Sequence, residues 1–312
     1  APAPVPDLAD VRGQSTAKRA LLIAAAGGHH LLFIGAPGVG KSLLAQRLPG
    51  LLPPLGLEEQ REVAAIHALR GDAPARAGMR PPFRAPHHTA SAYAMVGGGP
   101  RAVPGEISLA HRGVLFLDEL PEFSRNVLEA LREPLETGEV NVVRTAMQAR
   151  YPAEFQLVAA MNPCPCGQLG QGECDCSPAR LQHYRARLSG PLLDRIDLRL
   201  HVHRVGAALW KAPAVAGSET SAAMAERVRA AREIQRARQG CLNARLGVAT
   251  TMSACALTPG AQRSLERGTK RFELSARVAH RMARIARTIA DLEAAPVVTE
   301  AAVAEALTLR FD

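Results

Sequence analysis

The sequence predicts an α/β domain built on a parallel sheet, of the P-loop nucleoside-triphosphatase class, followed by an all-α domain. Up to residue 203, short apolar segments alternate with helical patterns, which is the order of a parallel sheet covered on both faces. A glycine-rich turn that contains Lys41 and Ser42 joins the first of these segments to a helix. Beyond residue 218, only helical patterns follow.

Each predicted strand and helix has a local signal. Residues 14–26 are dense in Ala and Leu and end at a Gly pair, which predicts a helix. Short apolar runs predict buried strands at 30–35, 113–118, 139–144, 154–160 and 197–203. Apolar spacing predicts further helices at 41–48, 57–69, 125–133, 220–239, 258–267, 275–290 and 299–309. The last three begin at the N-cap residues Thr258, Ser275 and Thr299.

These patterns divide the chain into two domains. Residues 14–205 form the predicted ATPase core, and residues 219–312 form an all-α helical lid domain. The segments 1–13, which alternates Ala or Val with Pro at its start, and 206–218 are expected to be linkers. Within the core, residues 71–105 are rich in Gly, Pro and Arg with little periodicity, which predicts an insertion of loops with a hairpin.

Composition and charge exclude some classes of protein and favour others. No run of about eighteen apolar residues occurs, and the first residues lack the features of a signal peptide, so no membrane association is expected. Residues 1–176 contain 16 Lys and Arg against 17 Asp and Glu, whereas residues 177–312 contain 22 against 12. The positive second part favours contact with a polyanion. Solvated, arginine-rich helix faces are the other interpretation of the same charge.

Residues 35–42 match the pattern G-x-x-x-x-G-K-[ST] between a predicted strand and a predicted helix. Glycines at such a turn let backbone N–H groups surround phosphate oxygens, and the helix N-terminus adds its positive end. Lys41 is expected to reach the β- and γ-phosphates of ATP, and Ser42 to supply a hydroxyl for Mg²⁺. The predicted nucleotide-binding residues of this turn are Gly35, Pro37, Gly38, Gly40, Lys41 and Ser42.

Polar residues follow two further predicted strands. Asp118 and Glu119 come directly after the run Val-Leu-Phe-Leu, at the strand end where ligands bind in open α/β sheets. We expect Asp118 to hold Mg²⁺ and Glu119, which has no metal to bind, to polarise the attacking water. Asn162 follows the strand predicted at 154–160 and is expected to orient that water or contact the γ-phosphate. Ordinary surface acids at a strand end are the alternative for the two carboxylates.

Several long segments resemble one known family, at residues 10–42, 82–91, 104–120, 160–167, 187–198 and 275–293. They are similar to the magnesium-chelatase-like AAA+ ATPases of the YifB/ComM group, and the similarity extends through nearly the whole chain. The resemblance implies a homo-hexameric ring with ATP at the subunit interfaces. Members of the ComM type are DNA helicases that promote branch migration during natural transformation, so single-stranded or branched DNA is the implied partner. Members usually carry a Lon-protease-like domain ahead of this region. We expect that domain to be absent here, and the Pro-rich start of residues 1–13 to be a linker or the point at which it was removed.

The resemblance also implies roles for two arginines. Arg195 matches the arginine finger of related chelatase and helicase ATPases, which contacts the γ-phosphate bound to the neighbouring subunit. An intrachain ion pair with Asp194 or Asp197 is the alternative for this residue. Arg277 matches the second sensor, an Arg of the helical lid that responds to bound nucleotide, although several nearby Arg residues could serve instead.

Two segments correspond, by the same resemblance, to elements that point into the central pore of related helicases. They are the hairpin that begins at 139–144 and the insertion at 84–105. Their basic residues are candidates for DNA phosphate contacts: Arg84, Arg101, Arg144 and Arg150. The adjacent His87 and His88 of the insertion are expected to be structural or interfacial rather than metal-binding.

Four of the six cysteines fall within a loop at 163–177, in the order Cys164-x-Cys166 and Cys174-x-Cys176. Four thiolates this close can surround Zn²⁺ tetrahedrally, as a structural ion. The spacing departs from the usual C-x₂-C pattern, so four reduced thiols in a turn are the alternative. Cysteines too few for a disulfide framework indicate a reducing compartment, and we therefore expect the cytoplasm.

Three functions fit these features. The first is a DNA motor, in which ATP hydrolysis drives translocation and branch migration; the basic second part and the pore-type insertions favour it. The second is a magnesium-chelatase-type or protein-remodelling ATPase, although no porphyrin-handling residues are evident. The third is a DNA-binding regulator with weak ATPase activity. The response of ATP hydrolysis to single-stranded DNA distinguishes among them.

Overall fold

The structure, a computed structural model, describes residues 6–71, 80–99, 101–144, 147–170, 172–206 and 219–311. The strands in these ranges are β1 (Leu31–Ile34), β2 (Phe83–Arg84), β3 (Gly97–Gly98), β4 (Val103–Pro104), β5 (Val114–Leu117), β6 (Glu139–Arg144), β7 (Met147–Pro152), β8 (Gln156–Met161) and β9 (Leu198–His201). Five of them form one parallel sheet in the order β2-β5-β8-β1-β9. The others form two small antiparallel pairs, β3-β4 and β6-β7. The predicted α/β fold is confirmed.

Helices flank this sheet and then form a C-terminal domain of their own. Those of the first domain are α1 (Ser15–Gly27), α2 (Lys41–Ala45), α3 (Leu57–Arg70), α4 (Ala92–Val96), α5 (Glu106–Leu109), α6 (Arg125–Ala130), α7 (Pro134–Thr137), α8 (Pro178–Ala186) and α9 (Gly190–Leu193). Those of the second domain are α10 (Ser221–Gln239), α11 (Val248–Cys255), α12 (Pro259–Arg271), α13 (Ala276–Leu292) and α14 (Glu300–Phe311). The predicted helical C-terminal domain is confirmed, with α11 as an addition that the pattern did not reveal.

Both faces of the central sheet are buried, which explains why its strands are continuous apolar runs. Successive side chains of a strand point to opposite faces. Leu32 of β1 and Leu115 of β5 therefore belong to one hydrophobic core, whereas Phe33 and Phe116 belong to another. Sequences of this kind are typical of parallel sheets that carry helices on both sides.

The helical domain packs on the core that contains α1. Leu21 and Ile23 of α1 share this core with Val228 of α10 and with Ile285 and Ile289 of α13, all of them buried. At an apolar gain of about 1.5–3 kcal/mol for each fully buried large aliphatic side chain, such a cluster binds the two domains firmly together. One hydrophobic core thus serves both domains.

The segment predicted as an N-terminal linker, 1–13, is anchored at Asp7 and Leu8. Leu8 is fully buried, and its backbone N–H donates to Ser221 Oγ at 2.7 Å. Asp7 Oδ1 accepts from the Ser221 N–H at 2.9 Å. These contacts attach the segment to the start of α10. Of the other predicted linker, 206–218, all but its first residue lies outside the described residues.

Two segments of the core have pairings that their apolar patterns did not specify. The strand at 139–144 does not join the main sheet but pairs with the segment that follows it, in the hairpin β6-β7 that the resemblance implied. The region 71–105 supplies β2, an edge strand of the main sheet that is too short to produce a pattern. Residues 72–79 and 100 of this region lie outside the described residues. No helix in the described ranges has the length and apolar character needed to cross a bilayer.

Candidate functional site

The phosphate-binding loop follows β1 and turns through two glycines with left-handed backbone angles. Gly38 has φ 80° and Gly40 has φ 96°, values that residues with a Cβ rarely adopt. No heavy atom lies within 4 Å of the point where a Cβ on Gly38 would be, so the loop faces open space. Gly35 lies on the inner side of the turn, where a Cβ would come 2.4 Å from the carbonyl oxygen of Val202. The loop therefore needs glycine at positions that Ala would distort.

The side chain of Lys41 points into this loop. Its Nζ donates to the carbonyl oxygens of Gly35 at 2.6 Å and Ala36 at 3.0 Å, and to Oδ1 of Asn162 at 3.1 Å. Burial lowers the pKa of Lys41, and the nearby carboxylates of Asp118 and Glu119 oppose that shift. These acceptors are all neutral oxygens, so the ammonium lacks a closely bound counter-charge. Such an arrangement suits a phosphate group.

A hydrogen bond between a hydroxyl and a carboxylate connects the phosphate-binding loop to the residue that follows β5. Ser42 Oγ donates to Asp118 Oδ2 at 2.5 Å, and the backbone N–H of Glu119 donates to Asp118 Oδ1 at 2.9 Å. A hydroxyl and a carboxylate oxygen are the hard donors that Mg²⁺ accepts in nucleotide sites. Ser42 and Asp118 thus fit the metal that the sequence assigned to them, and Mg²⁺ bound there would neutralise charge on the β- and γ-phosphates.

These residues line one cavity of about 380 Å³. The predicted residues that line it are Pro37, Gly38, Gly40, Lys41, Ser42, Asp118, Glu119 and Asn162. All lie at the carboxyl ends of β1, β5 and β8, the edge where open α/β sheets bind ligands. None of the described residues of 219–311 lines this cavity.

Glu119 has a partner that the sequence did not indicate. Nδ1 of His88 lies 3.0 Å from Oε2 of Glu119, the candidate base, which is about half exposed. Because β2 pairs in parallel with β5, a residue that follows β2 reaches the same edge of the sheet as Asp118 and Glu119. The strand β2 is only two residues long, and its pairing was therefore not predictable. His88 therefore connects the insertion at 84–105 to Glu119, the candidate base.

Asn162 is fixed by contacts on both of its sides. Its Oδ1 accepts from Lys41, and its carbonyl oxygen accepts from the hydroxyl of Tyr184 at 3.1 Å. Burial raises the pKa of Tyr184 to about 12, so the hydroxyl keeps its proton and remains a donor. The structure thus brings Asn162 to the nucleotide cavity, in contact with the loop lysine.

The two predicted sensor and finger arginines lie together at the opposite edge of the sheet. Arg195 pairs with Glu136, rather than with Asp194 or Asp197, and Arg277 Nη2 lies 3.4 Å from Oε1 of the same Glu136. Arg195 is 7% exposed, and Arg277 is exposed. Both line a cavity of about 370 Å³ that also contains Arg245, Arg281 and Arg284. The arginines hold the pKa of Glu136 below its usual value, chiefly through the hydrogen bond from Arg195.

The arginine cavity lies at the amino ends of the parallel strands. His30, Phe155 and Arg195 line it, and they precede β1, β8 and β9 respectively. The nucleotide cavity lies where the same sheet's strands end. A strand rises about 3.3 Å per residue, so even a four-residue strand separates the two edges by about 13 Å. Arg195 and Arg277 therefore line a cavity at the opposite ends of the strands from the cavity that Lys41 lines.

Buried charges hold the arginine cavity in shape. Arg281 Nη1 donates to Asp197 Oδ1 at 2.5 Å and to the carbonyl oxygen of Arg195 at 3.0 Å. Burial raises the pKa of Asp197, but Arg281 and His29 more than offset it, so the pKa lies well below the usual range. The same burial lowers the pKa of His30 to about 4. Asp197 thus remains ionised and anchors Arg281 beside Arg195.

The four clustered cysteines converge. Their sulfurs all lie within 4.8 Å of one another, and none is in a disulfide. Cys164 is fully buried, and Cys166, Cys174 and Cys176 are half-buried. A backbone N–H of Gln168, and secondarily Cys164, lower the pKa of Cys166 to about 6. The group could hold a metal ion.

Comparison with known proteins agrees with this arrangement. Residues 7–209 match the family model of magnesium chelatase, subunit ChlI, and residues 218–310 match the model of its C-terminal part. The chain belongs to the magnesium chelatase subunit ChlI family. The two models meet between residues 209 and 218, close to the junction of the α/β and helical domains.

Full-length relatives of this family extend the comparison. The chain is 48% identical over 310 residues to the uncharacterized protein YifB of Salmonella typhimurium, covering 99% of this chain and 61% of the relative. It is 47% identical over 305 residues to the competence protein ComM of Haemophilus influenzae, covering 97% and 60%. A magnesium-chelatase 67 kDa subunit of Chlorobaculum tepidum is 26% identical over 179 residues, covering 53% and 24%. The chain thus spans about three fifths of the length of its nearer matches, and the resemblance to the YifB/ComM group is confirmed.

Proposed function

We propose that the chain is the motor part of an ATP-driven DNA helicase that promotes branch migration. The observation that carries the ATPase part is the convergence of Lys41, Ser42, Asp118, Glu119 and Asn162 on one cavity. In this proposal Lys41 binds the β- and γ-phosphates, Ser42 and Asp118 hold Mg²⁺, Glu119 takes the proton of the attacking water, and Asn162 orients that water. ATP and Mg²⁺ are the proposed cofactors, beside a structural metal at the cysteine cluster.

The proposed motor is a homo-hexameric ring with ATP at its subunit interfaces. What supports it is the position of Arg195 and Arg277 at the sheet edge opposite the nucleotide cavity. Each subunit then supplies both arginines to the nucleotide of its neighbour, where they stabilise charge on the γ-phosphate in the transition state. In the isolated chain the carboxylate of Glu136 takes that place, so ring assembly exchanges one anion for another.

Two hairpin-bearing elements are the proposed DNA contacts in the pore. Arg150 of β7 has a 66% exposed side chain and pairs with Glu139 of the facing strand, and Arg101 is exposed next to β4. Arg84 is less suited, because two of its nitrogens are bound to Glu106 at 2.7 and 2.8 Å. The side chain of Arg144 lies outside what the structure describes. The net positive charge of residues 177–312 adds a long-range attraction for DNA.

The proposed compartment is the cytoplasm, where DNA is available as a substrate and free cysteines remain reduced. The remodelling alternative shares the ATPase chemistry and differs only in the partner. The effect of DNA on the rate of ATP hydrolysis therefore distinguishes the DNA motor from the remodelling ATPase.

The test measures ATP hydrolysis by the native chain with and without single-stranded DNA, then strand separation on a forked substrate. The proposal expects DNA to raise the hydrolysis rate and expects ATP-dependent unwinding. Glu119→Gln is the matched control, since it retains the nucleotide pocket while it removes the base. An ATP hydrolysis rate that DNA does not change, together with no strand separation, would contradict the DNA motor and favour the protein-remodelling ATPase.

A further inference from the structure

We infer that Cys164, Cys166, Cys174 and Cys176 bind one Zn²⁺ as a tetrathiolate site, and that this ion fixes their loop against the phosphate-binding loop. The inference does not rest on the DNA-motor proposal. It rests on the spacing of the sulfurs, on the backbone donors around them, and on one close contact between two loops.

The sulfur positions match the edges of a zinc tetrahedron. Zinc–sulfur bonds of about 2.3 Å in tetrahedral geometry place neighbouring sulfurs about 3.8 Å apart. Cys164 Sγ lies 3.3 Å from that of Cys166 and 3.8 Å from that of Cys174, and the last two sulfurs are 3.6 Å apart. A disulfide needs about 2.05 Å, so these contacts are not bonded pairs. With Cys176 inside the same 4.8 Å limit, the four sulfurs surround a space for one ion rather than for a cluster of several irons.

Backbone N–H groups contact two of the four sulfurs. The N–H of Leu169 donates to Cys164 Sγ at 3.4 Å, and a backbone N–H of Gln168 is directed to Cys166. Donors of this kind offset the excess negative charge that four thiolates bring to a divalent ion. All four positions of the tetrahedron are filled by protein, so the ion is structural and has no open position for a substrate.

The loop that the ion would close lies on the nucleotide site. A Cβ on Gly167 would come 2.5 Å from Cδ of Pro37, so the loop and the phosphate-binding loop are in direct contact. Asn162, which binds the Lys41 ammonium, stands two residues before Cys164. The ion therefore ties the Cys174–Cys176 arm of the loop to a segment that touches both Pro37 and Asn162. Its loss should loosen one wall of the nucleotide cavity.

The first test is the metal content of the native chain, expressed and purified without chelator. The inference expects about one zinc per chain, and about one in Lys41→Ala as well, because the metal does not depend on nucleotide. It expects the double substitution Cys164→Ser, Cys174→Ser to lose the metal, and the matched single substitution Cys241→Ser, distant from the cluster, to keep it. Native chain without zinc, or an unchanged zinc content in the double variant, overturns the site.

A second measurement remains decisive if the double variant fails to fold. The native chain is stripped with a chelator and reloaded with Co²⁺, which should give the intense absorption of a tetrahedral cobalt–thiolate centre and should be displaced by Zn²⁺. A weak octahedral spectrum overturns the tetrathiolate assignment. The supporting role is checked by the affinity for a fluorescent ATP analogue, which should fall about tenfold or more on metal removal and recover with Zn²⁺. An affinity for the ATP analogue that is the same with and without the metal overturns that role.

Discussion

Ser42 Oγ and Asp118 Oδ2 are joined by a 2.5 Å hydrogen bond that connects the phosphate-binding loop to the end of strand β5. The bond places the two candidate Mg²⁺ donors side by side. Because Glu119 follows Asp118 directly and Lys41 precedes Ser42, the same contact sets the relative positions of the candidate base and the phosphate-binding ammonium.

The first prediction separates binding from hydrolysis at this site. Lys41→Ala should weaken ATP binding, because it removes the ammonium that three neutral oxygens hold in the loop. Glu119→Gln should bind ATP normally yet hydrolyse it about 10²–10⁴-fold more slowly, because Ser42 and Asp118 still hold Mg²⁺ while the water loses its base. Equilibrium binding and steady-state hydrolysis measure the two effects. Native turnover by Glu119→Gln would show that another group is the base.

The second prediction concerns the contact between the cysteine loop and the phosphate-binding loop. Gly167→Ala and Gly170→Ala both place a Cβ on a left-handed residue, with φ of 78° and 79°, which costs about 1–2 kcal/mol in each case. Only Gly167→Ala also meets Pro37, whereas no heavy atom lies within 4 Å of a Cβ on Gly170. ATP affinity should therefore fall for Gly167→Ala and stay near native for Gly170→Ala. Equal affinities in the two variants would mean that the contact is unimportant for the nucleotide.

A third prediction tests the core of the helical domain. Asp291 has a fully buried side chain that accepts from Arg238 at 2.7 Å, from Asn243 at 2.8 Å and from Arg287 at 3.0 Å. Asp291→Ala should destabilise the chain by about 3–5 kcal/mol, because it leaves buried guanidinium charge unpaired. Glu226→Ala, which removes an exposed carboxylate on α10, should cost about 0–1 kcal/mol. Denaturant unfolding compares them, and similar losses would contradict the account of this core.

A fourth prediction concerns DNA. A pore site that neutralises about five phosphates on single-stranded DNA should give a slope near −3.5 in log K against log salt. Replacing Arg101 and Arg150 with Ala should reduce that slope by about 1.4, since each contributes one phosphate contact. Arg263→Ala, at an exposed arginine on α12, removes one positive charge away from the proposed pore and is the matched control for each of the two single substitutions. An equal effect of Arg263→Ala would indicate non-specific attraction by the basic second part.

The sequence indicated which residues meet in the candidate nucleotide cavity, because its signals are local. The glycine turn, Lys41 and Ser42 occupy eight consecutive residues, and Asp118, Glu119 and Asn162 stand directly after strong apolar strands. Contacts between distant segments were not predictable in the same way. Arg195 pairs with Glu136, 59 residues away, although its sequence neighbours Asp194 and Asp197 are acidic. In the folded chain, Asp197 is instead bound by Arg281 from the helical domain.

The short elements show the same limit. Nothing in the sequence marks the two-residue strand β2, so neither its place at the sheet edge nor the His88–Glu119 contact follows from a pattern. The run at 139–144 has the composition of a buried strand, but only the pairing with β7 decides that it lies outside the main sheet. Apolar periodicity indicates that a segment is a strand and does not indicate its partner.

The fifth prediction concerns catalytic residues that one subunit supplies to the nucleotide site of its neighbour. If Arg195 acts on the neighbour's nucleotide, an Arg195→Ala subunit keeps an intact phosphate-binding loop but lacks the finger for its neighbour. A Lys41→Ala subunit has the reverse defect. An arginine finger contributes about 10³–10⁵ in rate in related nucleotide hydrolases, so each variant alone should be nearly inactive.

Mixing these two variants is the measurement that tests the central claim most directly. The account predicts that the mixture hydrolyses ATP faster than either variant alone, because some interfaces then combine an intact Lys41 with an intact Arg195. Arg277→Ala should behave as Arg195→Ala does in the same mixture, since both arginines lie at one edge of the sheet, beside Glu136. Native-like turnover by Arg195→Ala on its own would contradict the account, and would reduce Arg195 to the partner of an intrachain ion pair.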